Sequence, residues 1–448
     1  MNKSTFLKNL KSFYFIGIGG VNMSALALYL HDNGYKVGGS DLSNNEYVKT
    51  LKKAGITVNN NHYKNNIDGY NTIVYTSAIK ENCPELIEAN KRKLPTFKRS
   101  QLLSFIIANF DKSIAVSGTH GKTTTTALLT EIFSLKFGTT AFIGGESKNF
   151  SNIYSSGNDV CITEACEYEK NFLDLFTTDK IILNVDRDHV DSYSDIDEQI
   201  NTFNQFANGS YSIVNGDNIN CKKITASCTF GLNNTNNIYA KNIKDKKNGL
   251  SFNVYTKHTK ILKAKVKLHG VENVYNCLSV IAVCLKYKID VKTIKKGLKN
   301  FNGVTRRNEY LGQFSRIRYY ADYAHHPTEI DCYLKNFFKF NRGKTLIIFQ
   351  PHTYSRTREL IDEFVKVLSK YDNVAIYKTY PAREEYDRAG SAYQLYNKLQ
   401  NNSPEKTLMY LENLSCFSEI VFYYKNVIIL GAGDLYDKIK KEYCKKSF

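Results

Sequence analysis

Ser117-Gly118-Thr119-His120-Gly121-Lys122-Thr123-Thr124-Thr125-Thr126 decides the fold. The residues before it, Ser113-Ile114-Ala115-Val116, read as a short buried strand. Those after it, Ala127-Leu128-Leu129-Thr130-Glu131-Ile132-Phe133, read as a helix with an apolar face. A strand, a glycine turn, Lys-Thr and a helix make a phosphate cradle. Glycines let backbone N–H groups approach phosphate oxygens, and the helix N-terminus adds its positive dipole end. Lys122 is then placed for the β- and γ-phosphates, and the Thr123 hydroxyl for Mg²⁺. The spacing is G-x-x-G-K-T, two residues shorter than the usual G-x-x-x-x-G-K-[ST]. A polar turn that contains Gly-Lys-Thr by chance would not need a strand before it and a helix after it. The stretch therefore predicts a nucleotide site, with ATP as the ligand.

Working outward, 448 residues suggest roughly three domains of ordinary size. Apolar residues make up 42%, enough for real cores, yet no apolar run approaches the ~20 residues of a membrane helix. Met1 to Leu10 is basic, but too short and polar for a secretory signal, and reads as a small opening helix or tail. None of the ten cysteines forms C-x-x-C, which argues against a zinc knuckle or a thioredoxin-type pair. Reduced thiols in a cytoplasm are expected. The net charge of +18 is spread along the chain, so it reads as solvated surface and not as a nucleic-acid patch.

Phe13-Tyr14-Phe15-Ile16 is a strand running into Gly17-Ile18-Gly19-Gly20-Val21-Asn22 and a helix to Asp32. A second strand, Tyr35 to Gly39, ends at Ser40-Asp41. This βαβ opening resembles the dinucleotide fingerprint, with an acidic residue just past its second strand. Ile73-Val74-Tyr75-Thr76-Ser77-Ala78 is a further strand whose small polar end suits the same ligand. Two strands follow the phosphate loop. Asp159–Thr163 ends in Glu164-Ala165-Cys166-Glu167, and Lys180–Val185 ends in Asp186-Arg187-Asp188-His189. Carboxylates at the C-terminal ends of neighbouring parallel strands can share Mg²⁺ with Thr123 and phosphates. A β-rich interval comes next, around Tyr211–Val214, Ala226–Phe230 and Ile261–Leu268. Helices Val271–Lys288 and Val291–Lys299 follow it, with Asn273 and Asn276 near the start of the first.

Phe301 to Arg307 reads as a linker bearing paired arginines, Arg306 and Arg307. Beyond it four strands each deliver polar residues at their C-terminal ends. These are Ile317–Ala321 before Asp322-Tyr323-Ala324-His325-His326-Pro327 and Thr345–Phe349 before Gln350-Pro351-His352-Thr353-Tyr354-Ser355-Arg356. The other two are Val374–Tyr377 before Tyr380-Pro381-Ala382-Arg383-Glu384 and Val427–Leu430 before Gly431-Ala432-Gly433-Asp434. A second doubly wound sheet is expected.

In this order the motifs resemble the Mur ligase family over nearly the whole chain. Gly17-Ile18-Gly19-Gly20 with Met23-Ser24 is similar to its uridine-nucleotide turn, and Ser117–Thr124 to its ATP loop, shortened spacing included. Glu164–Tyr168 and Asp188-His189 resemble its magnesium and γ-phosphate positions. Gln350–Thr357 and Tyr380–Glu384 discriminate most, favouring the alanine-adding branch over the peptide-recycling one. Departures from the family pattern are Asn22 and Ala25 for glycines, Glu272 for a histidine, Asn308 for an aromatic residue and Ala321 for an aspartate.

The resemblance implies an α/β chain of three domains. These are a Rossmann-like UDP-substrate domain over 1–106, a P-loop ATPase-like ATP domain over 107–303 and a Rossmann-like amino-acid domain over 304–448. It implies ATP-dependent joining of L-alanine to the lactyl carboxylate of UDP-N-acetylmuramate through an acyl phosphate, by a cytoplasmic monomer or weak homodimer. Lys122, Glu164, His189 and Arg356 are the implied catalytic residues, with Thr123, Glu164 and His189 on Mg²⁺. ATP falls to Gly118, Thr119, His120, Gly121, Lys122, Thr123, Thr124, Asn273, Asn276 and Arg306. The UDP-substrate falls to Gly17, Gly19, Gly20, Asp41, Thr76, Ser77 and Arg99, and alanine to Tyr323, His325, His326, His352, Tyr354 and Arg356. The competing readings are a nicotinamide-binding protein built on Gly17–Asn22 and a basic nucleic-acid binder. The first conflicts with the phosphate loop and the lack of a hydride-transfer pocket, the second with dispersed charge.

Overall fold

The structure, a computed structural model, describes residues 10–186, 192–382 and 384–444. The chain divides after Val304 into two units.

The first unit holds two sheets. Strands β1 (Ser12–Ile16), β2 (Lys36–Ser40), β3 (Thr57–Asn59), β4 (Ile73–Tyr75) and β5 (Thr96–Lys98) form a parallel sheet in the order β3-β2-β1-β4-β5. All five residues of β1 are buried, as a central parallel strand covered on both faces requires. Strand order reverses beside β1, so Gly17–Gly20 and Thr76-Ser77 open on one crevice at the C-terminal strand ends.

The second sheet is built from β6 (Ser113–Ser117), β7 (Thr139–Phe142), β8 (Ile153–Ser155), β9 (Val160–Glu164) and β10 (Asp179–Ile182). It continues through β11 (Tyr211–Asn215), β12 (Cys228–Gly231), β13 (Ile238–Lys246), β14 (Gly249–Thr256) and β15 (Thr259–Val266). The order is β15-β14-β13-β12-β11-β10-β6-β9-β7-β8, with antiparallel pairs only at the two edges. The helix Lys122–Phe133 is buried from Thr123 onward and packs against helices Val271–Lys286 and Val291–Asn300. Truncating a side chain there, such as Ile132→Ala, should cost about 2–5 kcal/mol. One apolar cluster takes Phe13, Phe15 and Leu26 from the first sheet's layer and Phe142, Phe172 and Phe203 from the second's. The expected division at 106/107 falls inside the helix Arg99–Ile107.

The second unit is a six-stranded sheet of β16 (Glu309–Phe314), β17 (Ile317–Asp322), β18 (Thr345–Phe349), β19 (Asn373–Tyr377), β20 (Thr407–Leu411) and β21 (Asn426–Leu430). Its order is β16-β17-β21-β18-β19-β20, parallel apart from the β16–β17 hairpin. Strands β3, β7, β8, β13, β14, β16 and β20 are not among the expected ones. Two of the hairpin turns involved carry φ > 0 on residues that do not advertise it. Lys257 and His258 sit at φ 45° and 66°, and Ser315 and Arg316 at 47° and 70°. Asn-Gly would have been the cue.

Candidate active site

The phosphate loop stands at the C-terminal end of β6, between the ends of β9 and β10. Gly121 caps the following helix at φ 87°, a left-handed backbone, and a Cβ there would lie 2.5 Å from Asn276 Oδ1. The Lys122 ammonium folds back over the loop. Its Nζ donates to Gly118 O (2.6 Å) and Thr119 O (3.2 Å) and pairs with Glu167 Oε1 at 3.0 Å. Burial works against that charge, but Glu167 and Glu164 outweigh it, so the pKa is raised above the usual lysine value.

Thr123 Oγ1 donates to Glu164 Oε2 at 2.9 Å, and Gly144 N donates to the same oxygen at 3.0 Å. A Cβ on Gly144 would come within 2.2 Å of that carboxylate, so the chain leaves room for it there. A hydroxyl and a carboxylate oxygen form a hard donor set, suited to Mg²⁺ and unsuited to soft metals. His189, with Asp188, lies outside the described residues.

Asn184 templates the loop from the end of β10, a role no motif had marked. It accepts Thr119 N on its main-chain O (3.1 Å) and His120 N on Oδ1 (2.7 Å), and its Nδ2 donates to His120 O (3.1 Å). His120 Nε2 also lies 3.2 Å from Asp186 Oδ2. Thr124 is buried in the first turn of the helix. At the helix Val271–Lys286, Asn276 Nδ2 donates to Asn273 Oδ1 (3.0 Å) and Asn273 Nδ2 to His269 O (2.7 Å). Glu272 sits in that helix's first turn, where a negative charge meets the positive dipole end.

In the first sheet Gly17 N and Ile18 N donate to Ser40 O at 2.8 and 3.0 Å. Gly19 N donates to Asp41 Oδ2 at 2.8 Å, while Ser43 N and Oγ donate to Asp41 Oδ1. Gly20 is the N-cap of the helix Val21–Asp32, and Thr76 packs against Gly17. Ser77 and Arg99 are half-buried, Arg99 opening the helix Arg99–Ile107. Among the described residues, His62, Cys83 and Glu85 are close enough to share a metal. Glu85, however, is fully buried and its oxygens are occupied by Tyr14, Ser40, Asn66 and His62. The cluster is a hydrogen-bonded hub that includes Ser40, whose carbonyl holds the glycine turn.

The second unit gathers its expected residues at the C-terminal ends of β17 and β18. The His325 and His352 rings are 5.9 Å apart, and His352 stacks on Tyr380 at 5.5 Å. Arg356 Nη1 donates to His352 O at 2.9 Å. Burial, reinforced by Arg356, pushes the His352 pKa down to about 4. His326 Nδ1 accepts Thr328 N and caps the helix Pro327–Phe340. Tyr354 meets Tyr386 edge-on at 5.6 Å. Glu384 accepts Thr353 Oγ1 (2.6 Å), Ser355 N (2.9 Å) and Ser355 Oγ, fixing the loop that carries Arg356. Gln350 pins the Gly431–Asp434 turn by donating to Asp434 and accepting Leu435 N.

Arg306 is held within this unit. Its Nη2 donates to Gly431 O and Gly433 O, both at 2.8 Å, and its guanidinium lies over the rings of Tyr323 and Tyr436. Tyr323 also meets the Arg307 guanidinium, at 5.0 Å. Burial raises the Asp322 pKa to about 6 against the pull of Arg307. Asn308 takes φ 46°, which asparagine adopts more readily than an aromatic residue, and its N–H donates to Asp322. Ala321 is buried within β17, and Ala25 within the helix Val21–Asp32.

The Mur ligase family catalytic domain matches residues 12–111, the Mur ligase middle domain 116–284, and the Mur ligase glutamate ligase domain 306–434. The UDP-N-acetylmuramate–L-alanine ligase of Clostridium acetobutylicum is 37% identical over 445 residues, covering 95% of this chain and 96% of its own. The protein of the same name from Caldicellulosiruptor bescii is 36% identical over 440 residues, covering 95% and 97%. The crystal structure of the UDP-N-acetylmuramate-alanine ligase of Thermotoga maritima superposes with a TM-score of 0.83 at 26% identity, over 96% of this chain and 98% of that one. By three consecutive domain matches and these full-length likenesses, the chain belongs to the Mur ligase family.

Proposed function

We propose that the chain joins L-alanine to the lactyl carboxylate of UDP-N-acetylmuramate, using ATP, in the synthesis of peptidoglycan precursors. The observation that carries this reading is the Lys122–Thr123–Glu164 constellation at the ends of β6 and β9, in a chain alike over 95% of its length to ligases of that name. A carboxylate is a poor electrophile at neutral pH, so it must first gain a leaving group. Its oxygen attacks the γ-phosphorus, the bond from that phosphorus to ADP breaks, and an acyl phosphate forms. The alanine amine then attacks the acyl carbon, loses a proton, and phosphate leaves.

Phosphoryl transfer of this kind needs positioning and charge neutralisation more than covalent help. Lys122 would turn from Glu167 toward the β- and γ-phosphates, and the first-turn amides of its helix would receive phosphate oxygens. Thr123 and Glu164, with His189, would hold Mg²⁺, which when bound supplies positive charge to the phosphate oxygens. Asn273 and Asn276 would meet the nucleotide, as would Arg306. Gly17–Gly20, Thr76, Ser77 and Arg99 would hold the UDP-substrate, and Asp41 would serve the same site by fixing Gly19 N. In the second unit Arg356 would receive the alanine carboxylate, with His325, His352, Tyr323 and Tyr354 around the amine. His326 would support them from its helix cap.

We place the enzyme in the cytoplasm as a monomer or weak homodimer. No helix among the described residues is long and apolar enough to cross a membrane, and no disulfide joins their cysteines. The test is phosphate release from ATP with UDP-N-acetylmuramate and L-alanine, glycine, L-serine or a peptide in turn. Release that needs UDP-N-acetylmuramate and is fastest with L-alanine is expected. Equal release with any amino acid, or with none, overturns the reading.

A further inference from the structure

Asn152 lies just before β8, on the loop that returns from β7, and its side chain is buried. Its Nδ2 donates to Val21 O at 2.6 Å and to Ser24 Oγ at 2.9 Å. Ser24 Oγ in turn donates to Val21 O at 3.0 Å. Val21 and Ser24 belong to the first turn of the helix that follows Gly17–Gly20. A residue of the phosphate-loop sheet therefore holds the helix start of the first sheet's glycine turn.

These bonds do not serve the helix itself. At a helix N-terminus the groups without partners are N–H groups, whereas the carbonyls already accept from four residues on. Asn152 adds donors where none is needed, as a tether would. The apolar contacts between the two layers, such as the Tyr29 and Phe142 rings 5.5 Å apart, tolerate sliding. A pair of directed hydrogen bonds does not.

The other end of the tether reaches the phosphate centre. Ile143 N donates to Asn152 O at 2.9 Å, and the next amide, Gly144 N, donates to Glu164 Oε2 at 3.0 Å. That same oxygen accepts Thr123 Oγ1. Two adjacent amides at the end of β7 thus link the Glu164 carboxylate to Asn152, and Asn152 to the glycine turn.

We infer that Asn152 is a positioning residue that sets the register between the Gly17–Gly20 turn and the Thr123–Glu164 centre. It thereby aligns the bound nucleotide-sugar carboxylate with the γ-phosphate. This rests on the function proposed above, with Gly17–Gly20 on the UDP-substrate.

The test is Asn152→Asp in the full chain. The variant keeps size and shape but presents an oxygen to the Val21 carbonyl. The KM for UDP-N-acetylmuramate should rise roughly tenfold or more. Displacement of the reacting carboxylate should lower kcat by up to about 10²-fold. Affinity for a non-hydrolysable ATP analogue alone should stay within about twofold, since the loop's own bonds are untouched. A merely structural role would weaken both ligands together. Ser24→Ala, which removes one acceptor and favours the helix, should raise the same KM about two- to fivefold. Parallel loss of both affinities, or an unchanged KM in Ser24→Ala when Asn152→Asp fails to fold, overturns the inference. So does Asn152→Asp kinetics equal to the parent's. A parent chain that releases no phosphate in response to UDP-N-acetylmuramate overturns the functional reading instead.

Discussion

Two glycine turns sit at the strand ends of the first unit, and they are completed by opposite charges. At Gly17–Gly20 the completing group is an anion, the Asp41 carboxylate accepting Gly19 N. At Gly118–Gly121 it is a cation, the Lys122 ammonium gathering Gly118 O and Thr119 O. An amide already given to a carboxylate is not offered to a phosphate. The second loop instead keeps a lysine, paired with Glu167, over its own carbonyls at the positive end of a helix. If the first turn seats the sugar-borne diphosphate, as proposed, it must do so with amides other than Gly19 N, which Asp41 holds. On the proposed function the second neutralises charge that moves during reaction, so damage to the second should cost far more.

Lys122→Ala is the largest test of that contrast. Loss of one preorganised charge should lower ATP-dependent phosphate release by about 10²–10³-fold with the fold intact by circular dichroism. Near-normal release would put the two turns on an equal footing. Glu164→Gln keeps an acceptor for Thr123 and Gly144 but removes the charge, so turnover should fall about 10²-fold and the Mg²⁺ titration should move to higher concentration. A titration that overlays the parent's would detach Glu164 from the metal.

The same contrast explains what could be read from the residues alone. Lys122, Thr123 and Glu164 were legible because strand, glycine turn and carboxylate fall at spacings that few other structures need. The partner that holds Lys122 was not assigned, although Glu167 stands three residues from Glu164. A buried lysine's counter-ion depends on where two strand ends meet, which no spacing states. Asn152 and Asn184 carry no motif, and each acts through a carboxamide whose direction only the fold defines. The hairpins at Lys257-His258 and Ser315-Arg316 were hidden because tertiary pairing imposes a backbone that their residues do not favour.

In the second unit, two groups with opposite pKa shifts allow a sign test. His352 titrates at about 4 when folded and near 6.5 when unfolded, so as pH falls between those values only the unfolded chain takes up the proton and stability is lost. Asp322 titrates at about 6 when folded and 3.8 when unfolded, so in nearly the same window only the folded chain takes up the proton and stability is gained. His352→Asn should therefore gain stability relative to the parent on acidification, and Asp322→Asn should lose it, each on the order of 2–3 kcal/mol. Denaturant midpoints of parent and variants across that window read the two signs directly. The same sign in both variants would break the assignment.

Arg356→Lys asks whether the second unit's cation acts by charge or by shape. Arg356 begins near His352, whose carbonyl takes one guanidinium N–H at 2.9 Å. A lysine keeps the charge but not the planar fork, so the alanine KM should rise by about ten- to a hundredfold with the ATP value unchanged. An alanine KM within about twofold of the parent's would make Arg356 a structural brace for its loop.

The smallest effect should come from Asp41→Asn, and it returns to the first turn. Asparagine still offers an oxygen to Gly19 N, and Ser43 Oγ can turn to accept from the new NH2, but Ser43 N loses its acceptor, so the turn loosens only on the Ser43 side. What changes is charge: the turn no longer carries its own anion beside the place proposed for the diphosphate. Removing a like charge favours an anionic ligand, while losing a charge-assisted bond loosens the turn, and the two effects oppose each other. The net change in the KM for UDP-N-acetylmuramate should stay within about threefold, and it should fall at low salt, where the removed repulsion is least screened. Asp41→Ala, which leaves Gly19 N without its acceptor, should raise the same KM several-fold at every salt concentration. If Asp41→Asn instead costs as much as Lys122→Ala, the anion at the first turn contacts substrate directly. The two turns would then differ in which ligand group they read, and no longer in how strongly they act.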